Sequence, residues 1–231
     1  MKVIKVKNYD ELSKVAANII IKQIKTKNDS VIGLATGSTP VGTYDDLAEA
    51  YNKQEISFKD VRTFNLDEYI NVPKAKSYHT FMYDNLFSRV DIDLFKTNFP
   101  DESELEKYEE QIELLGIDLQ VLGIGVNGHI GFNEPGTKFD STTHIVELSE
   151  TTRESNKIFF DELDDVPTHA VTMGLASIMK AKKILLLASG TNKKEIINKL
   201  IKAIPTEDIP ASILLNHKDV IIIADEDALL N

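Results

Sequence analysis

The ten residues VIGLATGSTP (31–40) decide the fold. Residues 31–35 form an apolar run of strand length, and the small polar turn Thr36-Gly37-Ser38-Thr39 follows at once. Pro40 then suits the first position of a helix, because its fixed φ is helical and it has no N–H to leave unpaired. The expected unit is a strand delivered straight into a helix start. KILLLASGTNK (183–193) repeats it, with an apolar strand at 183–188, the turn Ser189-Gly190-Thr191-Asn192, and a helix through 199–203.

The same alternation runs the length of the chain. Further strands are expected at 3–6, 61–66, 118–124, 143–148, 169–173 and 220–224. Helices are expected at 10–24, after Pro40 with Tyr44, Leu47 and Tyr51, at 80–87, at 102–115 and at 175–180. In the first of these, Leu12, Val15, Ala16, Ile19 and Ile20 fall on one face. Strands that are apolar throughout are buried on both sides. The expected class is therefore α/β, an open, mainly parallel sheet with helices on both faces. No Gly-, Pro- or Ser-rich linker interrupts the 231 residues, so one domain over 1–231 is expected.

Charge and composition narrow the function classes. The chain has 26 Lys and Arg against 37 Asp and Glu, a net charge of −11. That acidity argues against nucleic acid and anionic membrane as partners, since both require a basic face. A small anion held by a few local donors is still allowed. Cysteine is absent, which removes disulfides, thiol nucleophiles and Cys-ligated zinc. The start, MKVIKVKNYDELSK, lacks the apolar core of a secretory signal. No run approaches the ~20 apolar residues of a membrane span, and a cytoplasmic location is expected.

In an open parallel sheet, ligands bind outside the carboxyl ends of the strands. Polar residues just after strands are therefore the candidates, and four clusters qualify. Thr36, Gly37, Ser38 and Thr39 offer N–H and hydroxyl donors at a helix start, which suits a phosphate; the simpler reading is a helix cap by Thr39. Lys193 stands in the first turn of a helix, where the dipole disfavours a cation unless an anion is bound; alone it reads as a surface lysine. In FNLDEY (64–69), Asp67 and Glu68 point opposite ways from extended backbone, so at most one of them faces a ligand.

The fourth cluster is the densest. GIGVNG (123–128) matches the dinucleotide pattern G-x-G-x-x-G. That pattern needs a helix directly after it. HIGFNEPG (129–136) instead brings two glycines and a proline, so it reads as a loop and a nucleotide is not expected. The loop gathers Asn127, His129, Asn133 and Glu134 within eight residues. A histidine among glycines, with amides and a carboxylate nearby, suits acid–base chemistry. Zinc on His129 and Glu134, with His79, His144 or His217, is an alternative that lacks recognisable metal spacing.

Six segments occur in order along essentially the whole chain: GLATGSTP (33–40), FNLDEY (64–69), SYHTFM (77–82), LGIGVNGHIGFNEPG (122–136), ILLLASGTNK (184–193) and PASILLNH (210–217). Together they resemble the glucosamine-6-phosphate deaminases, also called isomerases, with GHIGFNEP the most specific element. The resemblance implies a Rossmann-like fold of the sugar-phosphate isomerase type. It implies conversion of D-glucosamine 6-phosphate and water to D-fructose 6-phosphate and ammonia, without metal or organic cofactor. It further implies His129 as the ring-opening acid–base, set by Glu134 and position 127, and Asp67 as the carboxylate that moves the C2 proton to C1. The phosphate would lie between Thr36–Thr39 and Lys193.

Three departures from the family pattern bear on that reading. Position 127 is Asn, where some members have Asp; an amide hydrogen-bonds His129 but adds no charge. Many members have Asn-Ser-Arg-Phe-Phe where this chain has Asn156-Lys157-Ile158-Phe159-Phe160, so the phosphate-binding arginine is replaced by Ile158, with Lys157 the neighbouring cation. STTHIV (141–146) lacks the basic residues of the allosterically regulated hexameric members, and the chain is shorter at its C-terminus. A monomer or small homo-oligomer without activation by N-acetylglucosamine 6-phosphate is expected. The competing readings are a lactonase or another sugar-phosphate isomerase, and a noncatalytic sugar-phosphate sensor. The intact Asp67, His129 and Glu134 argue against the first. The early first strand, which leaves no room for a DNA-binding helix-turn-helix, argues against the second.

Overall fold

Strand β1 (Lys2–Val6) leads into helix α1 (Tyr9–Thr26), which opens where the Asn8 side chain accepts the Glu11 N–H. Then come β2 (Val31–Leu34), α2 (Val41–Asn52), β3 (Arg62–Asn65) and β4 (Asp67–Tyr69). Helix α3 (Tyr78–Asn85) starts at Ser77, whose hydroxyl accepts the Thr80 N–H, and is followed by β5 (Thr97–Asn98), α4 (Leu105–Leu115) and β6 (Leu119–Leu122). The remaining elements are β7 (His144–Glu147), α5 (Glu150–Asn156), β8 (His169–Thr172), α6 (Leu175–Met179), β9 (Ile184–Ala188), α7 (Lys194–Lys202), β10 (Val220–Asp225) and α8 (Glu226–Leu229). This computed structural model describes residues 1–229, with Thr151, Ser155 and Phe159 described by their backbone alone. Leu230 and Asn231, the end of the unit expected over 1–231, lie outside the described residues.

Seven strands form one sheet in the order β1-β10-β9-β6-β2-β3-β5, and every neighbouring pair is parallel. Successive β9 side chains serve opposite faces, as strand geometry requires. Leu185 and Leu187 pack with Leu12, Ile20 and Leu47 of α1 and α2. Ile184 and Leu186 pack with Ile112, Ile178 and Leu200 of α4, α6 and α7. Each fully buried leucine contributes about 1.5–3 kcal/mol of transfer free energy. That is why β9 is apolar from end to end. Among the described residues, no helix is long and apolar enough to cross a membrane.

Two of the expected strands belong elsewhere. The segments at 143–148 and 169–173 do not join the parallel sheet. As β7 and β8 they form an antiparallel sheet with β4, in the order β4-β8-β7. The run expected to end at residue 66 in fact continues. After β3 the chain passes through Leu66, whose N–H donates to the Leu34 carbonyl at 3.0 Å and whose carbonyl accepts the Met173 N–H at 2.6 Å. The polypeptide thereby leaves the large sheet and enters the small one within a single residue. Tyr69, Phe132, Leu148, Phe160 and Val166 fill a separate core beneath the small sheet. Helix boundaries also differ from expectation: α3 runs Tyr78–Asn85 rather than over 80–87, and α4 begins at Leu105 rather than at 102. Pro40 is the residue before α2 rather than its first, and α7 begins at Lys194.

The order of strands fixes where a ligand fits. From β2 the chain moves outward through β3 and β5, then returns to the other side of β2 as β6. The carboxyl ends of β2 and β6 thus flank the point where strand order reverses, and a crevice opens there.

Candidate active site

A cleft of about 510 Å³ occupies that crevice. It brings together segments from both sheets. Thr36, Gly37, Ser38 and Thr39 after β2, Asp67 at the start of β4, His129 after β6 and Lys193 before α7 all line it. Asn127 and Glu134 do not line the cleft. They stand behind His129.

The turn after β2 holds its donors uncommitted. Among the described residues, the N–H groups of Gly37, Ser38 and Thr39 find no acceptor. The residue that caps α2 is Pro40, without any side-chain cap, so Thr39 is not the helix cap. Gly37 has φ of +95°, a left-handed conformation open to glycine at little cost. Across the cleft, Lys193 ends the short 3-10 turn Thr191–Lys193. Burial pushes its ammonium pKa down from the usual lysine value, and no carboxylate pairs with it among the described residues. Asp225 braces this turn by accepting the Ser189 hydroxyl and the Gly190 N–H.

The loop after β6 folds back to seat a histidine. Gly125 donates its N–H to the His129 carbonyl at 2.9 Å, and a Cβ at position 125 would lie 2.2 Å from the ring carbon Cε1. Only glycine lets the ring lie there. The buried Asn133 amide donates to the Ile130 and Met173 carbonyls, tying the loop to the end of β8. The His129 N–H donates to Asn127 Oδ1, and Asn127 Nδ2 donates to Glu134 Oε2 at 2.7 Å. Glu134 Oε1 accepts the Thr152 hydroxyl and lies 3.5 Å from His129 Nδ1. That last contact is electrostatic, because its geometry is not that of a hydrogen bond. Burial alone would raise the Glu134 carboxyl. The contacts with His129, Thr152 and Asn127 outweigh it and hold the pKa at about 2.

Asp67 and Glu68 are sorted by the alternation of β4. Glu68 turns away from the cleft and accepts the N–H groups of Tyr78 and His79, along with His79 Nδ1, at the start of α3. Asp67 is 7% exposed. Burial first, and the charge of Glu68 second, push its carboxyl up to about 8. It adjoins the histidine loop at Gly131, whose φ is +58° and where an added Cβ would stand 3.5 Å from Asp67 Oδ2.

The cleft also takes in residues that sequence reasoning did not assign: Lys76 and Tyr78 beside α3, and Thr152, Asn156 and Phe160 from the segment around α5. The signal available for them was a Ser N-cap before each helix, at Ser77 and at Ser149. Lys157, the cation beside position 158, does not line the cleft and pairs with Glu162 at 3.8 Å. No group of three or more His, Cys, Asp or Glu is arranged to hold a metal among the described residues. The histidines considered as further ligands are engaged elsewhere: His79 with Glu68, His144 with the Thr142 carbonyl, and His217 with the Ala181 carbonyl.

This arrangement has known relatives. A family model described as glucosamine-6-phosphate isomerases/6-phosphogluconolactonase matches residues 6–223. A protein named glucosamine-6-phosphate deaminase from Geobacillus sp. (strain WCH70) is 53% identical, covering 99% of this chain and 95% of that one. Another of that name, from Lysinibacillus sphaericus (strain C3-41), is 54% identical, with 96% and 98% covered. A solved structure of a monomeric glucosamine-6-phosphate deaminase is 45% identical with a TM-score of 0.96, covering 99% of this chain and 98% of that one. The 6-phosphogluconolactonase from Trypanosoma cruzi, at 24% identity and a TM-score of 0.78 over 98% and 95% of the two chains, shares the fold. With similarity of this extent, the chain belongs to the glucosamine-6-phosphate deaminase family.

Proposed function

We propose that residues 1–231 act as one catalytic unit that converts D-glucosamine 6-phosphate and water to D-fructose 6-phosphate and ammonia. The phosphate sits on the open N–H groups of Gly37, Ser38 and Thr39, facing the half-buried Lys193. His129 gives a proton to the ring oxygen and removes one from the anomeric hydroxyl, which opens the sugar. Glu134, 3.5 Å away, steadies the imidazolium that this exchange passes through, and Asn127 holds both residues in place.

The observation that carries the proposal is Asp67. This carboxyl is buried in the cleft beside the histidine loop and is pushed up to about 8. In the empty cleft it keeps its proton through neutral pH. A substrate that arrives with an ammonium at C2 supplies the missing counter-charge and favours the carboxylate. The base therefore forms when the correct substrate binds. Asp67 then takes the C2 proton and returns it at C1 through an enol-type intermediate, while one ammonium proton passes to the C1 oxygen. This leaves a protonated imine at C2, water adds to that carbon, and the adduct collapses to the ketone as ammonia leaves with its proton.

Release of ammonia from glucosamine 6-phosphate by the purified protein tests the reading, and its absence overturns it. We also infer a monomer or small homo-oligomer with hyperbolic kinetics, supported by the absence of Arg and Lys from residues 141–146. Light scattering measures the first. A sigmoidal rate curve made hyperbolic by N-acetylglucosamine 6-phosphate contradicts the second.

A further inference from the structure

Lys76 closes the 3-10 turn Lys74–Lys76, directly before Ser77 opens α3. Among the described residues, the Lys and Arg side chains that line the cleft are Lys76 and Lys193. Lys76 is half-buried, whereas Lys74 in the same turn is exposed. Its ammonium lies 5.8 Å from the centre of the Phe160 ring. That ring meets Tyr69 edge-on at 5.7 Å, Tyr69 lies 4.7 Å from Tyr78, and the Tyr78 hydroxyl reaches towards Thr36. A continuous aromatic row thus joins Lys76 to the turn after β2. Ile158, two residues before Phe160, also lines the cleft while 76% exposed, an apolar side chain where the family pattern has arginine.

A phosphomonoester carries a charge of about −1.5 to −2 at neutral pH. One ammonium, that of Lys193, leaves much of this charge unmatched in a partly dry cleft, and uncompensated buried charge is costly. We propose that Lys76 is the second phosphate-binding cation of this chain. It supplies from the α3 side of the cleft the charge that position 158 lacks, and with Lys193 it grips the sugar phosphate from two sides. The proposal rests on the sugar-phosphate reading above. A lysine on a flexible stem acts as a point charge and not as a fork, so arginine is an acceptable replacement at position 76.

The test uses inorganic phosphate as the probe, both as a competitive inhibitor of ammonia release and in direct calorimetric titration. Lys76→Met is expected to raise KM and the phosphate inhibition constant together by about ten- to hundredfold. Its kcat stays within about threefold, because the contact holds ground state and transition state alike. Lys76→Arg keeps most of the phosphate affinity, and Lys157→Met stays within about twofold of wild type. Adding Ile158→Arg to Lys76→Met restores phosphate affinity. Unchanged phosphate binding in Lys76→Met, an equal loss in Lys157→Met, or no recovery in a folded double variant each overturns the assignment. If the wild type releases no ammonia, the titration still decides Lys76. A dissociation constant weakened by Lys76→Met upholds the cation site and puts only the reaction in error.

Discussion

Strand β4 and the loop after β6 each bring one carboxyl group to the same site, and the two end in opposite states. Asp67 is buried with no hydrogen bond to its carboxylate among the described residues, and it rises to about 8. Glu134 is also partly buried, yet it is contacted by His129, Thr152 and Asn127 and falls to about 2. Both values would climb from burial alone. The difference lies in the neighbours. The carboxyl proposed to collect and return a proton is kept without partners, and the one proposed to stay charged is surrounded by donors.

Asp67→Asn should have the largest effect, because it removes the group proposed to move the proton. A loss in kcat of about 10²–10⁴-fold is expected, with KM little changed. The same variant should be more stable than wild type in alkali. The folded Asp67 carboxyl stands at about 8 against an ordinary 3.8, so its ionisation opposes folding. That cost is absent in acid, grows as pH rises between those values and is complete above the upper one. Removing it should raise the Tm at pH 9 by an amount on the order of a few kcal/mol in stability and leave the Tm at pH 3 unaltered. Equal Tm changes at both pH values would break the comparison from the Asp67 side.

Glu134→Gln comes next, with an expected loss of about 10- to 100-fold in kcat/KM from a histidine left without its counter-charge. Its effect on stability has the opposite sign. The folded Glu134 carboxyl stands at about 2 against an ordinary 4.5, so its charge supports folding above the ordinary value. That support fades as pH falls through the interval to about 2. Denaturant titrations should find the variant weaker at pH 7 and equal to wild type near pH 2.

Asn127→Asp replaces a donor 2.7 Å from Glu134 with a second carboxylate. Two such charges resist joint ionisation, and NMR should find the Glu134 carboxyl raised by about one pH unit or more. Thr152→Val is the mildest of the four. It removes one hydroxyl from Glu134, and activity should stay within about threefold of wild type while the carboxyl rises by less than in Asn127→Asp.

The strand-end turns were legible in the sequence for a physical reason. Val31–Leu34 and Ile184–Ala188 are apolar throughout because helices cover both faces, and the small residues after each of them break the pattern sharply. Two strands of the small sheet, at 143–148 and 169–173, were legible, but neither their pairing nor their third partner was. Asp67–Tyr69 has three residues, too few for any period, and it extends a run already claimed by β3. Helix α5 escaped because ETTRESN has no apolar stripe; its start is fixed instead by Ser149, which accepts the Thr152 N–H. Lys76 sits in a polar stretch with Lys74, and only the fold shows which of the two meets the cleft.

The passage through Leu66 has a consequence for selectivity. This residue is stitched to Leu34 on one side and to Met173 on the other, which ties the turn proposed to hold the phosphate to the strand that carries Asp67. A sugar phosphate with one carbon fewer between its phosphate and its amino-bearing carbon would bind by its phosphate yet hold the wrong atom against Asp67. On the proposed reading, chain length is thereby measured by the spacing of the two sheets.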